Sequence, residues 1–462
     1  MSDIVCVSPI DGRIVARRVS ASPTHIASSL ERARDAQRDW ARVPLAGRAE
    51  LCAAFVDAML AMESEIAPEL ALQMGRPVRY GGGELRGLAE RARYMIDIAD
   101  EALADIDPGP KDGFRRFIRR APLGLVFTIA PWNYPYLTAV NSIVPALMAG
   151  NAVILKHAAQ TILVGERFQK AFDAAGLPEG LFQTLVLTHD DTLAIIAGGE
   201  VDHVCFTGSV EAGRAIERAA AGTFTGVGLE LGGKDPAYVR ADCHFDHAVE
   251  NVVDGAFFNS GQSCCGIERV YVAAPIHDRF VEAATALARQ YVLDDPLKPA
   301  TTLGPMARAS LAETVRGQTR AALAAGARAT MDEKAFAASR AGTPWLAPQI
   351  LVNVDHSMQV MTEESFGPVL GIMKVDSDDE AIALMNDSRY GLTASIWTAD
   401  GEAAERIGDR LKTGTVFLNR ADYLDPALAW TGVKDTGRGA TLSRVGYEQL
   451  TRPKSFHLRL KV

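Results

Sequence analysis

LGLVFTIAPWNYP, residues 123–135, is an apolar run that ends on a stiff loop, Trp132-Asn133 between Pro131 and Pro135. An apolar run without polar alternation reads as a strand buried on both faces. The pattern returns in NAVILK (151–156), LFQTLVL (181–187), DHVCF (202–206) and GVGLEL (226–231). Amphipathic helical stretches such as TILVGERFQKAFDAA and SVEAGRAIERAA lie between most of them. Strands and helices alternating in this way predict a parallel sheet covered on both sides, the doubly wound α/β class. The rhythm resumes from 236 to about 418 with PAYV, RVYVAA, VLGIMKV and TGTVFLN, so a second α/β lobe is expected. Upstream, residues 26–100 carry apolar positions at helical spacing, punctuated by GRP (75–77) and GGG (81–83). FRRFIRRAP (114–122) and LTRPKSFHLRL (450–460) read as strands, paired with each other or with another subunit.

The 462 residues are 48% apolar and 23% charged, with a net charge of −9. This is the composition of an ordinary globular protein, and its acidic balance argues against nucleic acid or an anionic membrane as partner. No apolar run approaches bilayer length, and MSDIVCVSPIDG lacks the pattern of a secretory leader. Of six cysteines only Cys264 and Cys265 cluster, the usage expected of a reducing cytoplasm.

Four motifs carry candidate chemistry. FTGSVEAGRAI (206–216) places Gly208 and Ser209 where a strand turns into a helix, either a plain joint or a phosphate-binding helix start. In the Trp-Asn loop, Asn133 either caps its own turn or holds an amide toward a developing oxyanion. GLELGGKDP (228–236) puts Glu230 at an apolar strand end, where it is a proton-transfer base if buried and an ion-pair partner if not. In GQSCCG the adjacent cysteines suit neither a disulfide, which would strain, nor a metal, for which no further ligands lie near, so a core thiol and a nucleophile remain. Cys243, His244, Asp246 and His247 in DCHFDHAVE read as turn and capping residues rather than a metal site. No metal is expected.

In order, PWNYP, LK (155–156), FTGS, LELGGK, GQSC, ESFGPV (364–369) and GVKDTGRG (432–439) resemble the aldehyde dehydrogenase superfamily over essentially the whole chain. The resemblance implies a Rossmann-like cofactor lobe (1–103 and 123–231) and a catalytic lobe (232–438). It also implies a small β flap (104–122 and 450–462) that joins subunits into a homodimer or homotetramer. It implies Cys264 as nucleophile, the Asn133 amide and Cys264 N–H as oxyanion donors, and Glu230 as the base that hydrolyses a thioester. Glu230 favours water over coenzyme A as acyl acceptor. Trp132, Lys156, Gly208, Ser209, Gly232, Glu364 and Phe366 would hold NAD or NADP. Ala159 stands where the NAD-preferring pattern has a glutamate, so NADP is expected to be tolerated or preferred. The tunnel for a small-molecule aldehyde would be lined by Tyr134, Leu137, Thr138, Asn141, Ile267, Asp422, Leu424 and Trp430. No arginine clearly marks a carboxylate-bearing semialdehyde, Arg420 being the one candidate, and Asp422 with Asp425 could suit an aminoaldehyde. Rival classes are a thiol-dependent esterase and a non-enzymatic relative.

Overall fold

The computed structural model describes residues 2–461. An N-terminal hairpin, β1 (Asp3–Val7) and β2 (Ile14–Val19), precedes helices α1 (Pro23–Trp40), α2 (Leu45–Leu60), α3 (Glu63–Met74), α4 (Gly81–Asp97) and α5 (Ala99–Ala102). β3 (Phe114–Pro122) leads into β4 (Leu125–Ala130), α6 (Pro135–Met148), β5 (Ala152–His157), α7 (Leu163–Ala174) and β6 (Phe182–Thr184). Then come α8 (His189–Ala197), β7 (His203–Thr207), α9 (Val210–Ala220) and β8 (Gly226–Glu230). The second half supplies β9 (Asp235–Val239), α10 (Phe245–Phe257), β10 (Ile267–Ala273), β11 (Arg328–Ala329), β12 (Gln349–Val352), β13 (Val369–Val375), β14 (Thr393–Trp397) and β15 (Thr415–Leu418). Three two-residue strands, β16 (Trp430–Thr431), β17 (Gly437–Arg438) and β18 (Ala440–Thr441), and the longer β19 (Thr451–Arg459) close the chain.

Two sheets organise these elements. The first runs β17-β8-β7-β4-β5-β6 and is parallel except for β17. Its strands β4 and β5 are buried along their whole length, as the unbroken apolar runs predict. The chain starts at central β4, steps outward to β6, then crosses back to β7. The order therefore reverses between β4 and β7, and the loops after these two strands diverge to leave a crevice. The second sheet runs β11-β12-β13-β10-β9-β14-β15, parallel except for β11.

β3 and β19 stand apart as a two-stranded ribbon in unbroken nine-residue antiparallel register, with Phe117 stacked on Phe456 at 4.4 Å. The two arginine-bearing segments thus pair with each other within one chain. Two details differ from the sequence reading. β17 adds to the edge of the first sheet, so the 232–438 segment is not closed on itself. The strand expected over 181–187 stops at Thr184, and the Val186 carbonyl instead accepts from Ala21 N. Cys264 lies in a turn just before β10.

Candidate active site

A cleft of about 1500 Å³ opens at the crevice of the first sheet and reaches the loop before β10. It brings together the strand-end motifs and the cysteines. Cys264, Glu230 and Asn133 line it, as do Trp132, Lys156, Ala159, Gly208, Ser209, Gly232, Glu364 and Phe366, and Tyr134, Leu137, Thr138, Asn141, Asp422, Leu424 and Trp430. Ile267 does not. As the first residue of β10 it is 2% exposed and packs beside Gly255 and the second-sheet core. Asp425 and Arg420 are also outside the cleft wall. Asp425 is exposed and accepts from Ala427 N in its own turn, and Arg420 stacks on the Tyr423 ring at 3.4 Å.

The cysteine loop is sharply bent. Asn259, Ser260 and Gly261 all have positive φ (53°, 57° and 67°). A Cβ at Gly261 would sit 2.3 Å from the Gly367 carbonyl oxygen, so only glycine fits. The bend is tied down by Ser260 Oγ donating to Gly304 O at 2.7 Å and Ala307 N donating to Gln262 Oε1 at 2.8 Å. This is why a Gly-Gln lead-in precedes the thiols.

The two sulfurs are presented differently. Cys264 is half-buried on the cleft wall, whereas Cys265 is 2% exposed. Cys265 Sγ donates to Asp422 Oδ1 at 2.9 Å. Hydrogen bonding toward the Cys264 side chain, burial and the Asp422 charge push the Cys265 thiol well above its usual range. A thiol held protonated in this way is a poor nucleophile. The Asn133 amide rests on Gln262 O at 3.2 Å, just ahead of Cys264. The Cys264 N–H donates to no acceptor among the described residues.

Glu230 ends β8. Its Oε2 accepts from Thr207 Oγ1 at 2.9 Å and its Oε1 from Thr441 Oγ1 at 2.5 Å. Burial raises its pKa, only partly offset by these two hydroxyls and by the Arg91 charge. The environment is that of a carboxyl tuned toward proton transfer.

A buried ion pair behind the loop was not foreseen. Arg76, from GRP, pairs with Glu84, which follows the triple glycine, and both side chains are almost fully buried. Arg76 also donates to the Asn133 carbonyl and, at 3.2 Å, to Asn259 Oδ1, and it covers the Tyr134 ring at 4.5 Å. Glu84 Oε1 accepts from the N–H groups of Tyr136 and Leu137, both at 3.0 Å, and so caps the start of α6. One pair thus fixes both the Asn133 loop and the cysteine loop. Glu84→Ala should cost about 3–5 kcal/mol of stability, because it strands a buried guanidinium and uncaps a helix. Urea denaturation of wild type and variant checks this.

The other end of the cleft fits a nicotinamide nucleotide. Lys156, at the end of β5, donates to no group among the described residues, and burial lowers its pKa. Glu364 is pushed up to about 8, mainly by burial and then by Glu268, and takes one bond from Gly233 N at 3.1 Å. A Cβ on Gly232 would lie 2.3 Å from that carboxylate, so the strand end forms a cradle that only glycine leaves open. Ser209 caps α9 beside Gly208, while Trp132 and Phe366 meet edge-on at 5.5 Å. An unpaired ammonium and an accepting carboxyl suit ribose hydroxyls, and a capped helix start suits a pyrophosphate. Among the described residues, no group of three or more His, Cys, Asp or Glu side chains is placed to hold a metal ion. His247 instead engages Asn419 O at 3.0 Å.

Fold and cleft together define a doubly wound α/β protein with a thiol facing a nucleotide cradle. The sequence profile of the aldehyde dehydrogenase family matches residues 2–456. The chain is 33% identical to the 3,6-anhydro-alpha-L-galactose dehydrogenase of Streptomyces coelicolor, over 98% of this chain and 92% of that one. It is 32% identical to a succinate-semialdehyde dehydrogenase [NADP(+)] of Mycobacterium avium, over 98% and 96% respectively. The structure of the succinic semialdehyde dehydrogenase of Streptococcus pyogenes in complex with NADP+ superposes with a TM-score of 0.94 at 27% identity, covering 99% of this chain and 100% of that one. The chain belongs to the aldehyde dehydrogenase family and is an oxidoreductase of the aldehyde group that works with a nicotinamide cofactor.

Proposed function

We propose that the cleft oxidises a small aldehyde to its free carboxylic acid, with Cys264, Asn133 and Glu230 dividing the work. The observation that carries this is the single cleft wall on which a half-buried thiol, an amide anchored beside it and a raised carboxyl converge. Cys264 sulfur bonds to the aldehyde carbon, and the carbonyl oxygen becomes an oxyanion that the Asn133 amide and Cys264 N–H receive. A bound nicotinamide supplies the acceptor for the hydride that leaves this carbon. The thioester left on Cys264 is then opened by water whose proton Glu230 takes, which releases the acid and restores the thiolate. Trp132, Lys156, Gly208, Ser209, Gly232, Glu364 and Phe366 hold and orient the cofactor.

The test is a panel of aldehydes with NAD and NADP, read at the absorbance of the reduced nicotinamide. A thiol esterase would instead cleave an activated ester at the same rate without cofactor, and cofactor-independent turnover as the only activity would refute the proposal. A reducing, cytoplasmic setting is part of the same reading, supported by six cysteines that all stand unpaired.

Ala159 bears on cofactor choice. It lines the cleft without charge, with Lys156 three residues before it, so a 2′-phosphate meets no repulsion there. Ala159→Glu should lower kcat/KM for NADP at least tenfold while NAD changes less, since a like charge about 4 Å away in a partly wet cleft costs roughly 1–4 kcal/mol. Steady-state kinetics with both cofactors decides it. A wild type that already rejects NADP a thousandfold would show that another residue excludes the phosphate.

The flap reading also belongs here. In the β3–β19 ribbon β19 is mostly exposed and β3 partly buried, and an isolated two-stranded ribbon is marginal in water. Its open edges are better paired across subunits. A homodimer or homotetramer is expected by light scattering at micromolar concentration, and a monomer would overturn this assignment.

A further inference from the structure

Arg91 lies on α4 and reaches the cleft wall that also carries Cys264, Cys265 and Glu230. It is 9% exposed. Only one of its nitrogens is in use: Nη1 donates to Leu137 O at 2.9 Å and to Asn141 Oδ1 at 3.3 Å. Among the described residues Nε and Nη2 donate to nothing, and neither is sealed from the cleft.

Every neighbouring acid is already committed. Glu84 belongs to Arg76 and to the start of α6. Glu230 is held by Thr207 and Thr441. Asp422 accepts from Ser263 Oγ at 3.0 Å, Cys265 Sγ at 2.9 Å and Tyr134 OH at 3.4 Å. Glu90 accepts from Tyr423 OH at 2.6 Å. Arg91 therefore makes no ion pair of its own: Glu84 and Glu230 favour its charge from a distance, but their oxygens are held by other donors. A buried guanidinium with unfilled donors is unfavourable, and an anion delivered by a ligand would fill them. Nε and Nη2 of a guanidinium form the flat fork that matches the two oxygens of a carboxylate.

We propose that Arg91 is a specificity residue that receives a carboxylate at the far end of the substrate while the aldehyde carbon meets Cys264. The substrate class is then a short aldehyde that carries its own carboxylate, and the product is a dicarboxylate. This rests on the aldehyde-oxidising reading of the cleft. The brace that Arg91 makes to Leu137 and Asn141 holds its Nη1 in place and leaves the rest of the fork free.

The experiment compares succinic semialdehyde with pentanal, a neutral aldehyde of similar length. Wild type should favour the anion at least tenfold in kcat/KM. Arg91→Gln should reduce that ratio about thirtyfold, mostly through KM, and Arg91→Lys should restore part of it. If both substrates fall in parallel, Arg91 only braces α4 against α6, and the proposal is overturned. Should the variant not fold, wild type alone decides: succinate, but not succinamide, is expected to compete with pentanal, and equal inhibition by the two would overturn the proposal. A wild type that oxidises pentanal without favouring the anion overturns this inference and leaves the aldehyde reading standing. A wild type that oxidises no aldehyde overturns both.

Discussion

Cys264→Ala is expected to abolish aldehyde oxidation, a loss of at least about 10⁴-fold, because no other group can form and then release the acyl bond. Cys265→Ala should keep most of the activity. The two sulfurs are adjacent in sequence and both line the cleft, but the turn just before β10 leaves Cys264 half-buried and Cys265 only 2% exposed. Cys265 spends its proton on Asp422, and its removal leaves Asp422 with two further donors, Ser263 and Tyr134. Alkylation of the native enzyme should therefore label Cys264 first and inactivate in step with labelling, as intact mass and residual activity would show. If Cys265→Ala were the dead variant, the match of GQSC to the family pattern would be displaced by one residue.

Strands buried on both faces were legible because a covered parallel sheet demands continuous apolar runs, and β4 and β5 are of that kind. The same property hid which side a residue faces. Ile267 opens such a strand, and the two charged residues that follow it, Glu268 and Arg269, are buried as well, so polarity gives no pattern from which to tell cleft from core. β14, TASIW, was missed because Thr393 and Ser395 look like loop residues. They are buried, and Thr393 is satisfied by Asp235, whose carboxylate accepts from its N–H at 3.1 Å. The hairpin β1–β2, DIVCV and IVARRV, was missed although both strands are mostly apolar.

In the cleft, the residues that react lie in short local motifs and could be read. The residues that position them could not. Arg76 and Glu84 reach groups roughly 50 to 180 positions away, and on paper one is a charge in a break between helices and the other one more charge on a helix. Arg91 looks the same on an amphipathic helix, and only the packing of α4 against α6 turns it inward. Thr207 and Thr441 are likewise ordinary in sequence and become informative only when both are found on Glu230.

Glu230→Gln should separate the two halves of the reaction. The shape at the end of β8 is kept, and the oxyanion donors on Asn133 and Cys264 are untouched, so the thiolate can still attack and the hydride can still leave. One equivalent of reduced nicotinamide per active site is expected in a burst. The next step needs a base to draw the proton from water, and the amide cannot do so, so the steady rate after the burst should drop by roughly 10²–10⁴-fold. The stalled thioester should be visible on Cys264 by intact mass and should be discharged by hydroxylamine. The wild-type pH profile follows from the same carboxyl. Burial raises the Glu230 pKa, and the working form is the ionised one, so the deacylation rate should climb as pH rises through that raised value, a climb the variant should lack. Stability gives an independent reading. A carboxyl with a raised folded-state pKa binds its proton more tightly folded than unfolded, so its contribution to stability falls as pH rises from the ordinary carboxylate range through the raised value. Glu230→Gln removes that fall, so denaturation midpoints of wild type and variant should diverge in the variant's favour as pH climbs through that window. A variant with no burst would place Glu230 earlier in the sequence, in activating the Cys264 thiol, and would sink the assignment of base to the second half-reaction alone.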